Sequence, residues 1–164
     1  MEVPGQEPNW EEIVGRGWDL HTTPDSMLSY YEGIVERFPD SARAYFEYGN
    51  ALDFAEKESE AIVCYHKALK LGLEPPLRVF AFIQLGSSYR NIGRSVSAIS
   101  ALEEALALAP GDGAVRIFYC LALYSAGEPV HALKAALSYI LQDADSATQK
   151  RYGEVLRRYL SDLA

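Results

Sequence analysis

A returning spacing constrains this chain more than any other feature. Gly93 and Gly127 stand 34 residues apart, and so do Ala98 and Ala132. Around the first of each pair the local pattern is helical. Phe82, Leu85, Tyr89 and Ile92 recur at three- and four-residue steps and line one side of a helix. Gly93 stops it, because glycine enters the left-handed conformation without a Cβ clash. Ser95 is expected to cap the next helix through its hydroxyl. Ile99, Leu102, Ala105, Leu106 and Leu108 form a second apolar stripe, which Pro110 ends. Gly86 and Ala98 are small, so the two helices are expected to pack closely. One such unit is only a helical hairpin. Its recurrence predicts an array.

The pattern returns along the chain with local changes. Trp10, Ile13, Val14 and Trp18 open a first unit, with Gly15 in the small-residue place 34 positions before Gly49. Thr23 and Pro24 predict a capped helix start, and Met27 to Phe38 carry the next stripe, ended by Pro39. Met27 stands where the other units have a small alanine, so packing there is expected to differ. In the second unit Tyr45, Tyr48, Gly49 and Leu52 answer Ala61, Tyr65 and Ala68, with Asp40 or Ser41 as cap. Gly49 and Gly86 are 37 apart, because the stretch from Lys70 to Pro76 lengthens the loop after Gly72. The fourth unit begins near Gly113, has Arg116 in the bulky place and Cys120 in the glycine place, and puts Tyr139 where a small alanine stood before. A last helix spans 146–163. Its expected apolar face is Tyr152, Gly153, Leu156, Tyr159, Leu160 and Leu163, and its polar face is Lys150, Arg151, Arg157 and Arg158.

Phe82-x-x-Leu85-Gly86-x-x-Tyr89, followed by Ala98, Leu102, Ala105 and Pro110, resembles the tetratricopeptide repeat (TPR), with Phe82 for its Trp and Leu102 for its Phe. The run from Leu71-Gly72-Leu73 through Leu85-Gly86-Ser87 to Arg116-Ile117-Phe118 is similar to the TPR group 5 domain of bacterial proteins, over roughly residues 45–140. The resemblance implies an all-α fold: an α-solenoid of about four TPR pairs with a C-terminal capping helix, wound as a right-handed superhelix. Residues 1–8 are expected to be a flexible N-terminus, and 9–164 one domain. Its repeats fall at about 8–41, 42–76, 79–112 and 113–145, closed by the helix at 146–163.

Composition excludes several functions. A net charge of −8 argues against nucleic acid, which calls for a positive footprint. The acidity is uneven: residues 1–60 hold 14 Asp/Glu and 4 Lys/Arg, whereas 61–164 hold 9 and 11. Such a patch attracts basic partners, although acidic faces more often serve only solvation. The longest apolar run, Ile117–Tyr124, is far short of the ~20 residues a bilayer needs, so no membrane association is expected. Met1–Asn9 has no apolar leader core, which with two free-thiol cysteines, Cys64 and Cys120, gives the expectation of a cytoplasmic protein. His21, His66 and His131 fall in separate units, and Cys64 and His66 point to opposite helix faces, so no metal site is expected. Glu11–Glu12 and Glu103–Glu104 are neighbours that do not face each other. No nucleophile, base, phosphate loop or cofactor motif converges, and no enzyme is expected.

What remains is a surface. The resemblance implies a concave groove lined by first helices. Its columns fall on Asn9, Glu12, Arg16 and Asp19; on Arg43, Phe46, Asn50 and Asp53; on Phe80, Ile83, Ser87 and Arg90; and on Ala114, Ile117, Leu121 and Tyr124. Phe46 and Phe80 are expected to be exposed. Ile83, Ile117 and Leu121 read equally well as groove or as packing between helices. Asn50 and Arg90 are expected to bond a peptide backbone. Some TPR proteins clamp a chaperone's terminal carboxylate with Lys, Asn and Arg. Arg43 and Asn50 match loosely, but Phe46 stands in a lysine place, so that clamp is not expected. The function implied is a non-catalytic module taking a peptide or helix of a partner protein in its groove. The alternative is a self-associating TPR protein, a homo-oligomer joined head to tail by the acidic N-terminal part and the cationic last helix.

Overall fold

A computed structural model describes residues 9–142 and 147–163. The terminus expected at 1–8 lies outside the described residues, as does Ser146, the expected first residue of the last helix. Among the described residues there are nine helices and no strand. They are α1 (Trp10–Leu20), α2 (Pro24–Arg37), α3 (Ala42–Phe54), α4 (Glu58–Lys70), α5 (Leu77–Asn91), α6 (Ser95–Leu108), α7 (Gly113–Ser125), α8 (Pro129–Ile140) and α9 (Ala147–Asp162). The chain gathers into two compact units that meet within α5, between Ala81 and Phe82.

Local chemistry sets most helix ends. Thr23 Oγ1 accepts from Ser26 N at 3.4 Å, with Pro24 in the first turn. Ser41, rather than Asp40, caps α3 by accepting from Ala44 N at 3.2 Å. Asp112 caps α7, accepting from Ala114 N at 2.7 Å and Val115 N at 3.2 Å. Ser95 departs from expectation. It is the first residue of α6, after Arg94, and its hydroxyl donates to Ser125 O at 3.4 Å instead. Gly93 and Gly127 adopt φ of 76° and 81°, the left-handed stops their spacing predicts.

Glycine sets how closely the helices pair, though not as the spacing alone suggests. A Cβ on Gly49 of α3 would lie 2.6 Å from Cε1 of Tyr65 on α4. A Cβ on Gly86 of α5 would lie 2.5 Å from Cγ of Leu102 on α6. The glycine therefore receives a large side chain from 16 positions on, rather than facing another small residue such as Ala98. In the first unit this role belongs to Gly17, whose added Cβ would run into the Tyr31 ring; beside Gly15 the nearest neighbour is Asp19. Tyr31 and Tyr65 keep the 34-residue step, while Gly17 and Gly49 are 32 apart. The large residue thus comes 14 positions after its glycine in the first repeat and 16 after it in the second, although three residues join the two helices in both.

The core follows from these pairings. In the first unit Met27, Tyr31, Ile34, Ala44 and Ala51 are buried together, with Trp10, Ile13 and Phe38 packed around them. Met27 is accommodated there in its alanine place. In the second unit Ala98, Leu102 and Ala122 are buried against Tyr89, Phe118 and Tyr119.

Candidate functional site

The four groove candidates on α3 are bound up in the first unit's own packing. Arg43 Nε meets Glu47 Oε1 at 2.6 Å, one helical turn on. Glu47 is only 3% exposed. Asn50 donates from Nδ2 to Glu47 Oε2 at 3.2 Å, and its Oδ1 accepts from the Tyr65 hydroxyl at 3.1 Å. Both ends of the amide expected to meet a peptide are thus committed within the protein. Burial raises the Glu47 carboxyl above its ordinary range, outweighing Arg43 and Asn50, which pull it down. Phe46 is 5% exposed, against the expectation of an exposed groove residue. The close approach at Gly49 brings the Tyr65 ring to within 6.1 Å of the Phe46 ring. Asp53 is half-buried.

On α5, Phe80 is exposed as expected, whereas Ile83 is buried and takes the packing role. Ser87 and Arg90 are half-buried, and the Arg90 Nε is buried without a hydrogen-bond partner among the described residues.

The α7 candidates stand differently. Ile117, Leu121 and Tyr124 follow at four- and three-residue steps along one face, and Ile117 and Tyr124 are 62% and 68% exposed. They form one wall of an open cleft of about 450 Å³ within the second unit. The α8 wall is Ala132, Ala136, Tyr139 and Ile140, and Cys120 and Arg116 complete the lining. The surface inside is almost wholly apolar.

A swap of bulk opens this cleft. Cys120 lies one 34-residue step after Gly86, and Ala136 one step after Leu102. Where Leu102 fills the space over Gly86, Ala136 leaves it empty. The bulk returns three positions later, where Tyr139 replaces the buried Ala105. Tyr139 leans toward the helix start, its hydroxyl 3.1 Å from where a Gly113 Cβ would stand. Arg116 lies over the Tyr139 ring at 5.5 Å and donates from Nε and Nη2 to Pro110 O at 3.2 and 2.9 Å. The guanidinium is satisfied at the rim, so it adds a positive edge to an apolar floor. Burial pushes the Cys120 thiol up, with Arg116 opposing.

The α7 wall holds residues that the sequence singles out, Ile117, Leu121 and Tyr124, whereas the α8 wall holds none of its candidates. The signal was present at Ala136 and Tyr139, whose sizes are exchanged relative to Leu102 and Ala105. Among the described residues no group of three His, Cys, Asp or Glu side chains is placed to hold a metal ion. No helix among them is long and apolar enough to cross a membrane.

The family model described as "Tetratrico peptide repeat" matches residues 42–160. No curated protein matches the chain. Among solved structures it is similar to the crystal structure of MamA protein, at 23% identity and a TM-score of 0.70, over 88% of this chain and 76% of that one. MamA from Desulfovibrio magneticus RS-1, residue 41 to its end, gives 18% identity and 0.64, over 94% and 90%. YrrB, described as a TPR protein with an unusual peptide-binding site, gives 21% identity and 0.65, over 94% and 80%. At such identities the likeness speaks for the fold.

Proposed function

The chain belongs to the tetratricopeptide repeat family, a family of non-catalytic protein-interaction repeats, and on that premise we propose that it binds a peptide or helix of a partner protein in the α7–α8 cleft. The observation that carries this reading is the exposure of Ile117, Leu121 and Tyr124 along an apolar depression that the described residues leave unfilled. Contiguous apolar surface of this kind marks interaction sites, since leaving it in water is unfavourable. About 450 Å³ lies within the ~300–1,000 Å³ of ligand clefts. The walls offer almost nothing to orient a polar small molecule. They suit two or three apolar side chains presented at helical spacing, with an acidic residue of the partner meeting Arg116 at the rim. The α3 positions then support the fold, and the partner's main contacts fall in the fourth repeat. YrrB's peptide-binding site is a precedent on this fold.

A photoreactive residue tests this directly. Placed at Ile117, it should crosslink a discrete partner in lysate; placed at Val96, which is 84% exposed on α6, it should not. Leu121→Asp should abolish the Ile117 product while the far-ultraviolet circular dichroism is unchanged. Equal products from both positions, or a product that survives Leu121→Asp, would remove the cleft from consideration.

A further inference from the structure

The last helix does not end the array as a solvating helix should. Its expected single apolar face is split in two. Gly153, Leu156, Leu160 and Leu163 are turned inward or half-buried, and α9 packs on α8. Tyr152, Val155 and Tyr159 form a second apolar stripe at three- and four-residue steps, and all three are exposed. Arginines flank it: Arg151 lies over the Tyr152 ring at 5.3 Å, and Arg158 over the Tyr159 ring at 5.5 Å. Each guanidinium is held along its neighbour's ring, so the stripe is pre-ordered and positive.

The same chain carries a complement. Residues up to Ala81 hold 15 Asp/Glu against 7 Lys/Arg, a net of −8, while the rest hold 8 of each. Within the acidic unit Trp18 and Phe54 meet edge to face at 5.6 Å, and both are exposed, as is Leu20. Exposed Asp19 and Glu56 stand beside them in the sequence. This is an exposed apolar patch within the acidic unit.

We propose that the α9 stripe docks on the Trp18–Phe54 patch of a second copy of this chain. Apolar surface meets apolar surface, and Arg151 and Arg158 meet the acidic unit at Asp19 and Glu56. The two patches are different surfaces of one chain, so the contact is heterologous and joins copies head to tail. Charge complementarity favours this occupant over an anionic membrane, because a chain of net charge −8 is repelled as a whole by such a surface. The surface is separate from the α7–α8 cleft and stands whether or not the cleft binds a peptide.

Sedimentation equilibrium of the full chain decides the matter. In low salt the wild type should exceed the monomer mass of 18.2 kDa as concentration rises, and return toward it in ~0.5 M salt, where the Debye length is only a few ångströms. Arg151→Glu/Arg158→Glu and Asp19→Lys/Glu56→Lys should each remain at 18.2 kDa alone. Mixed together they should associate, because each variant now complements the other. That mixture also shows that both variants are folded. A wild type that stays monomeric at every concentration, or a mixture that fails to associate, overturns the proposal. So does binding to phosphatidylserine vesicles through α9 by a chain that remains monomeric without them.

Discussion

Alanine at Gly49 and alanine at Gly33 should move stability in opposite directions, although both residues lie within helices. At Gly33, on the exposed side of α2, an added Cβ meets nothing within 4 Å. Only the backbone term remains, and Gly→Ala should stabilise by up to about 1 kcal/mol. At Gly49 the same term applies, but the Cβ would lie 2.6 and 2.8 Å from two carbons of the Tyr65 ring. That ring is fully buried and held by its hydroxyl at Asn50, so it has little freedom to retreat. Overpacking costs about 1–3 kcal/mol, and displacing Tyr65 would also break its bond to Asn50, about 1 kcal/mol more. After the helix-propensity gain, Gly49→Ala should destabilise by about 2 kcal/mol. The two variants should then differ by roughly 3 kcal/mol. At about 2–4 °C per kcal/mol for a chain of this size, Gly33→Ala raises Tm by a few degrees and Gly49→Ala lowers it by about 4–8 °C. Urea titrations at matched slope give the same quantities. If Gly49→Ala is as stable as Gly33→Ala, the close approach of α3 and α4 does not depend on that glycine, and glycine does not set the spacing within the repeats.

Two further outcomes follow from buried titrating groups. The folded state holds the Glu47 proton more tightly than the unfolded chain does, because the carboxyl is raised from 4.5. This group's contribution to stability is therefore largest below that value and falls as pH rises through the raised folded value. Glu47→Gln should remove this fall, so the difference between wild-type and variant urea midpoints should change as pH rises above about 4.5 and level off once the raised folded value is passed; parallel profiles would show that Glu47 does not titrate as its burial dictates. Burial pushes the Cys64 thiol up to about 11, with Glu60 adding to the shift, whereas Cys120 lies half-exposed in the cleft. A disulfide reagent at pH 8 should modify Cys120 well before Cys64, and a crosslinked partner should slow only Cys120. Equal rates for the two thiols would contradict this difference in burial.

The repeats were legible because their signals are local. Helical spacing, a glycine stop, a capping hydroxyl and the 34-residue step can each be read from a few neighbouring residues. They placed nine helices and named the family before any coordinate was needed. Legibility ended where a residue's fate depends on the helix beside it. Phe46 and Ile117 occupy equivalent columns of their repeats, yet one is buried and the other open, because Tyr65 fills the space over Gly49 and Ala136 leaves the corresponding space empty. The role of Gly17 over Gly15 was hidden in the same way, by a two-residue change in how α1 meets α2. Tyr152 and Tyr159 belong by spacing to the apolar side of α9, but its inner face has room only for the side lined by Gly153 and Leu156. Helices, their order and the kind of array they build are written into the residues, since those rest on backbone conformation and periodic apolarity. Which apolar residues are left open is settled in the packed fold, since that depends on which neighbouring side chain reaches them first.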